Sequence, residues 1–339
     1  MPPPSESADS RPSAARGGLH RMPVDELVTS LKTLWRFDYE PKVKALRDLY
    51  EVAKKEQWNA SADIPWKLET EHPGEVLDPR QDMFRDLDVV KALPEDKQTE
   101  VSVRNAAWIL SQFMHGEQGA LLCCGQLIEV VPDIDGKLYA ATQVVDEARH
   151  VEVFHRYITR LHGVYPMDPT LQAVLNQILE ADLWQMKCVG MQVIVEGLAM
   201  GTFKIMKEGT KDELFRRIVG LTSQDEARHV SYGLIYMKDE LPRMSEPDRA
   251  RVEDFAFAAV DALCGRRPGT GLLTQGAILE EVGVNLGAAV AEIQAKLGDP
   301  EFVASQPDPF RDYVMPQLTR LGIITERTAP RYRELGFAV

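Results

Sequence analysis

The sequence predicts an all-α fold, a four-helix bundle with additional flanking helices, on three observations. Apolar residues recur at three- and four-residue intervals through most of the chain, and no stretch alternates in the manner of a strand. The pentapeptide Asp-Glu-Ala-Arg-His occurs twice, at Asp146 to His150 and at Asp225 to His229. A lone glutamate inside an apolar helical stretch stands thirty residues before each motif glutamate: Glu117 before Glu147, and Glu196 before Glu226.

Each copy separates Glu and His by three residues, which on a helix puts both side chains on one face, one turn apart. Turn-forming residues lie near the middle of each thirty-residue step: Pro132, Asp133, Asp135 and Gly136 in the first, Gly209 and Thr210 in the second. A helix from the lone Glu to the turn and a helix back to Glu-x-x-His return to about the same height. Two such hairpins bring six candidate ligands to one level. One Glu from each of two helices, with a Glu-x-x-His from each of the other two, is the arrangement by which dinuclear carboxylate bundles hold iron or manganese.

In chain order, residues 1–22 are Pro, Ser, Ala, Gly and Arg with almost nothing to bury, and are expected to be a disordered tail. Residues 23–98 read as an N-terminal helical arm. Leu27, Leu31, Leu34, Trp35, Leu46, Leu49, Tyr50 and Val52 recur at helical spacing, interrupted at Pro41. An irregular stretch anchored by Trp58 and Trp66 follows, with one short helix expected over 80–93. The bundle itself is expected over 99–241. Its first helix, about 99–131, carries Leu110, Phe113, Met114, Glu117, Leu121 and Cys124 on one stripe. The second, about 137–161, carries Val144, Glu147, His150, Val151, Phe154 and Ile158. A single long, bent third helix is expected over 169–206, with Val189, Gln192, Val193, Glu196, Met200 and Phe203 inward. The fourth, 212–241, holds the second pentapeptide and stops at Pro242. Residues 242–339 are expected to pack on the bundle as further helices, about 247–263 and 273–297, separated by a Gly-rich loop at 265–271, and the whole is expected to be one structural domain.

Acidic residues outnumber basic ones, 52 to 39, for a formal net charge of -13. That balance speaks against a nucleic-acid or anionic-membrane surface. No run approaches the roughly 18 apolar residues that a membrane span requires. Cys123, Cys124, Cys188 and Cys264 form no C-x-x-C pair, so free thiols and a cytoplasmic location are expected. The start of the chain has no apolar signal core.

A single Glu-x-x-His is ordinarily a solvated helix face, and a buried glutamate can be paired with Arg or His. Repetition of the whole pattern argues against both. Four carboxylates with one imidazole per metal suit iron or manganese better than zinc. Asp146 and Asp225 can each accept a hydrogen bond from the histidine of the opposite motif, and Arg149 and Arg228 can pair with those aspartates. His115 and His155 lie off the ligand stripes and are read as surface or packing residues; Glu129 is a fallback first ligand. The Gly269-x-Gly271 element follows no strand and carries no weight as a nucleotide loop.

The motif pair resembles the ferritin-like di-iron carboxylate oxidoreductases over roughly residues 99–241. In form it is most similar to the hydroxylase α subunits of bacterial multicomponent monooxygenases. The small subunit of class I ribonucleotide reductase usually has Asp first and a radical Tyr four residues after its first motif His; here Glu117 and Phe154 stand there. Arylamine N-oxygenases add a third histidine four residues before the second motif Glu, where this chain has Thr222. The multicomponent monooxygenases usually carry a Thr four residues after the third-helix Glu, where this chain has Met200.

The resemblance implies two Fe ions, with Mn at one position as a variant, and activation of O2 to hydroxylate a small hydrophobic or aromatic substrate. The metal would be held by Glu117, Glu147, His150, Glu196, Glu226 and His229, with Glu147 and Glu226 bridging. N-oxygenation and acyl desaturation are the alternatives of the same centre, and a ferritin-like iron-binding protein the non-enzymatic one. With no flavin or nicotinamide signature, electrons would come from a separate reductase or ferredoxin; a homodimer is compatible with this reading. Phe113, Met114, Phe154, Met200 and Phe203 are candidate pocket walls, although plain core packing would put the same residue types there.

Overall fold

The computed structural model describes residues 33, 34, 36, 38–70, 72–264 and 271–339. The tail expected at 1–22, the residues Leu27, Leu31 and Trp35 of the expected arm, and residues 265–270 of the expected Gly-rich loop lie outside them. Among the described residues there is no strand, and Leu31–Val339 cluster as one compact unit.

Four long helices carry the centre, and their ends follow from local chemistry. We label Lys44–Lys55 α1, and the first bundle helix, Glu95–Val130, α2. Helix α2 begins after Pro94 with Glu95 and Asp96 in its first turn, where the helix dipole favours negative charge. It ends before Pro132, which restricts the residue ahead of it to extended backbone. Helix α3, Ile134–Leu161, is capped by Asp133, whose carboxylate accepts from Gly136 N at 2.9 Å. Asp168 caps α4, Pro169–Glu180, with proline at the first helical position. Helix α5 is Trp184–Gly209, and α6, Glu213–Glu240, is capped by Asp212 through Phe215 N at 2.7 Å.

The third bundle helix differs from the expectation of one bent rod. The chain leaves helical geometry at Ala181, so α4 and α5 are separate elements. Within α5, residues Val189–Val195 are π-helical, directly ahead of Glu196. A π turn holds one more residue than an α turn, which rotates everything after it by about 100°. The side chains of the π segment are buried from Val189 to Ile194, so this stretch packs on all sides. Gly190 permits this, because a Cβ there would lie 2.8 Å from both Ile178 and Phe255. Helix α5 also has the length and mean hydropathy, 26 residues and 1.3, of a membrane span, contrary to the expectation that no run is apolar enough. Here it is a bundle helix, two-thirds buried over that window.

The flanking helices also depart in detail. The helix expected over 80–93 is reduced to the single turns Pro79–Gln81 and Asp88–Lys91. Helix α7 is Glu246–Leu263. The next expected helix is two, α8 (Gly271–Glu281) and α9 (Leu286–Leu297), because Gly283 adopts φ +89° and ends the first in a left-handed turn.

Helix α1 lies across α3 and α6. Asp135 fastens it, accepting from Lys42 N at 2.7 Å, Val43 N at 2.8 Å and Arg47 Nε at 2.8 Å. Burial pushes the Asp135 carboxyl up, but these donors outweigh it and hold it below its ordinary range. Asp135→Ala is therefore expected to cost about 2–4 kcal/mol in urea unfolding. Because the folded pKa is depressed, this contribution is complete above the unfolded value of about 3.9 and is lost as pH falls through the folded one. The variant should accordingly lose its deficit relative to wild type in acid.

Candidate metal centre

Glu117 projects from α2, Glu147 and His150 from α3, Glu196 from α5, and Glu226 and His229 from α6. All six are buried. Their donor atoms form two sets: Glu117, Glu147, His150 and Glu226, and Glu147, Glu196, Glu226 and His229, with one donor atom from each residue of a set within 4.8 Å of the others. Glu147 and Glu226 belong to both.

The two histidines are oriented alike. His150 Nδ1 lies 3.1 Å from Glu226 Oε1 and 3.3 Å from both Glu117 Oε2 and Glu147 Oε2. His229 Nδ1 lies 3.0 Å from Glu226 Oε2 and 3.1 Å from Glu147 Oε1. Each Nε2 faces outward to the aspartate of the other motif: His150 to Asp225 at 3.0 Å, His229 to Asp146 at 3.3 Å. With a metal bound, a carboxylate at Nε2 would hold the proton there and leave the Nδ1 lone pair for the ion.

A second layer encloses the aspartates. Arg149 donates to Asp146 at 2.6 Å and to Asp225 at 3.1 Å, while Arg228 bonds Asp225 and, at 2.7 Å, Glu56. Trp58 Nε1 donates to Asp225 at 2.8 Å, and Gln57 Nε2 to Asp146 at 2.9 Å. The Arg149 guanidinium also lies over the Trp58 ring, 4.8 Å from its centroid. Sequence reasoning missed Glu56, Gln57 and Trp58 as parts of the site. It also missed Gln143, which donates to Glu147 at 2.8 Å and to Glu196 at 3.2 Å. A polar residue one turn before Glu147 on the same stripe was the available signal.

The donor set fits a pair of cations. Glu117 Oε1 is buried without a hydrogen bond, a costly state for a carboxylate oxygen unless something else meets it, and Glu226 Oε1 has only the His150 Nδ1 contact. Burial and the Glu226 charge push Glu117 well above the ordinary carboxylate range, and burial with the same neighbour pushes Glu196 up to about 8. Burial opposes charge on the imidazoles, yet the surrounding carboxylates hold His150 and His229 well above the usual value. Two divalent ions would balance this excess of negative charge.

The remaining expected residues divide. Met114, Phe154 and Phe203 are buried in one cluster with Phe113 packed on it, ring centroids 4.8 Å apart for Phe113 and Phe203 and 5.5 Å for Phe154 and Phe203. Met200 is only partly buried. His115 bonds the Tyr165 carbonyl at 2.9 Å, His155 is exposed, and Glu129 is exposed and away from the centre, which removes it as a first ligand.

A family model described as P-aminobenzoate N-oxygenase AurF matches residues 40–267, a span that contains all six of these residues. The chain belongs to the AurF family. It thereby stands among the ferritin-like di-iron carboxylate oxidoreductases, as the motifs suggest. Within that superfamily the match falls on the N-oxygenases, whereas the sequence reading ranks the multicomponent monooxygenases first and counts Thr222 against the N-oxygenases. No curated protein sequence matches the chain. Among solved structures, a protein with aldehyde deformylating oxidase activity from Synechococcus is 16% identical, covering 73% of this chain and 99% of that chain at a TM-score of 0.48. An R2-like ligand-binding oxidase from Sulfolobus acidocaldarius is 18% identical over 74% of this chain and 90% of that chain, TM-score 0.47. An R2-like ligand-binding oxidase with a reconstituted Mn/Fe cofactor is 20% identical over 83% and 92%, TM-score 0.43.

Proposed function

We propose that this AurF-family chain is a di-iron oxygenase that transfers an oxygen atom from O2 to a small aromatic substrate, with the nitrogen of an arylamine as the preferred acceptor. The observation that carries the reading is the pair of overlapping donor sets sharing Glu147 and Glu226. Glu117, Glu147 and His150 would hold one ion, Glu196 and His229 the other, with Glu147 and Glu226 shared; manganese at one position is a variant loading. Iron bound there would supply the redox chemistry with O2 that oxygen transfer needs, with electrons from a separate reductase or ferredoxin.

The protein's own groups serve that task in three ways. Asp146 and Asp225 fix the histidine tautomers. Arg149 and Arg228 offset the charge of those aspartates, so the outer layer stays ionised while buried. Phe154, Phe203 and Phe113 form an aromatic cluster one to two turns along the helices from the ligands. Four free cysteines accord with a cytoplasmic setting.

Carbon hydroxylation is the second reading, favoured by Thr222 standing where the arylamine N-oxygenases have a further histidine. The test is to give the reduced, iron-loaded protein oxygen-18 gas and p-aminobenzoate, and to analyse products by mass. Label on nitrogen supports N-oxygenation, and label on a ring carbon supports hydroxylation. Oxidation of Fe(II) with accumulation of many irons per chain, and no organic product, would sink both in favour of iron storage.

A further inference from the structure

Gln143 and Thr222 occupy equivalent places in the two halves, four residues before Glu147 and Glu226, and both are fully buried. One turn separates each from its glutamate, so both face the cluster. What they do there differs. The Gln143 amide donates to Glu147 Oε1 at 2.8 Å and Glu196 Oε1 at 3.2 Å. Both acceptors are carboxylates, so the amide has to present its NH2 group to them. It thereby ties the motif glutamate of the first half to the lone glutamate of the second.

At the other end no amide makes the corresponding tie between Glu226 and Glu117, which share only the ligand nitrogen His150 Nδ1, at 3.1 and 3.3 Å. Glu117 Oε1 and the Thr222 hydroxyl are buried without a hydrogen bond, and Glu226 Oε1 meets only His150 Nδ1. Carboxylates that must converge on a cation repel one another before it arrives. A donor shared between two of them offsets part of that repulsion and removes rotational freedom that metal binding would otherwise have to freeze.

We propose that this asymmetry makes the two metal positions unequal, with Gln143 as the positioning residue that presets the position formed by Glu147, Glu196, Glu226 and His229. That position fills first. The position formed by Glu117, Glu147, His150 and Glu226, with Thr222 one helical turn before Glu226, assembles only as the second ion arrives. This inference rests on the dinuclear reading above. Outer hydrogen bonds to metal ligands change affinity by about 10–100-fold, which sets the expected separation.

The experiment is an anaerobic titration of the metal-free full chain with Co(II), followed by its ligand-field absorption, so that no catalytic activity is needed. Wild type is expected to fill in two steps, the first at least about tenfold tighter. Gln143→Met keeps the length and bulk of the side chain without the donor, and is expected to weaken the first step about tenfold, so that the two steps merge. Thr222→Gln supplies the missing tie and is expected to tighten the second step, a gain that loss of packing does not produce. Two ions entering wild type in one indistinguishable step would overturn the proposal and leave the dinuclear reading intact, whereas no Co(II) bound would sink that reading as well. Either folded variant titrating as wild type does also overturns it. The wild-type result needs no variant to fold.

Discussion

Glu147→Ala is expected to lose the metal pair. Glu147 belongs to both donor sets, so its removal takes one ligand from each position at once. The accompanying change in stability separates a metal centre from a structural charge network. Glu147 is fully buried, with Glu196 and Glu226 among the other carboxylates of the cluster. Without metal, its loss relieves like-charge repulsion, which offsets part of the cavity that alanine leaves and of the acceptor that Gln143, His150 and His229 lose. The metal-free variant is therefore expected to melt close to metal-free wild type. Adding Fe(II) anaerobically at about a thousandfold over Kd stabilises wild type by about 4 kcal/mol per ion, and the variant by much less. Metal content per chain by mass spectrometry and thermal unfolding with and without Fe(II) give the two readouts. Equal metal in wild type and variant would mean that the doubled pentapeptide is only a charge network.

Asp225 presents the opposite case, in which stability itself depends on the carboxylate. It accepts from Trp58 Nε1, His150 Nε2, Arg149 and Arg228, and is almost wholly buried. Burial pushes its carboxyl up, but the hydrogen bond from His150 and the charges of His150 and Arg228 prevail and hold it well below the ordinary range. Asp225→Ala leaves two guanidinium groups short of a buried partner, a loss of about 3–5 kcal/mol and roughly 5–10 °C in Tm. Asp225→Asn keeps the shape and one acceptor oxygen, so it is expected to fold better. It removes the charge that holds the His150 proton on Nε2, and metal affinity measured by chelator competition should fall about 10–100-fold. An Asp225→Asn protein with unchanged affinity would show that the aspartate serves only the arginine layer.

The two variants also separate what could be read before folding from what could not. The repeat of Asp-Glu-Ala-Arg-His and the two thirty-residue steps are periodic facts about the chain, and helical geometry converts them into a common height and face. Glu117 and Glu196 could be picked out because a carboxylate inside an apolar stripe is conspicuous. The interlocking of Asp146 with His229 and of Asp225 with His150 could be anticipated for the same reason, since adjacent residues on one helix keep a fixed angular relation.

Glu56, Gln57 and Trp58 belong to another class. They sit about ninety to one hundred and seventy residues from their partners, at the end of α1, and nothing periodic links them to either motif. Their place depends on how α1 crosses α3 and α6, which Asp135 fixes through backbone donors. The π segment before Glu196 is likewise invisible in the pattern, because a continuous apolar run reads the same whether its turns are α or the wider π. The break at Ala181 and the turn at Gly283 replace long helices with shorter ones for local reasons that periodicity averages over.

By itself the sequence determined the all-helical class, the two matching halves and the six candidate donors, because those follow from spacing along a regular helix. Only the tertiary structure decided which face of the aspartate layer the N-terminal arm covers, how α5 is rotated to aim Glu196, and that Gln143 ties two carboxylates where Thr222 leaves two untied. These depend on contacts between segments distant in the chain, and helical periodicity carries no information about them.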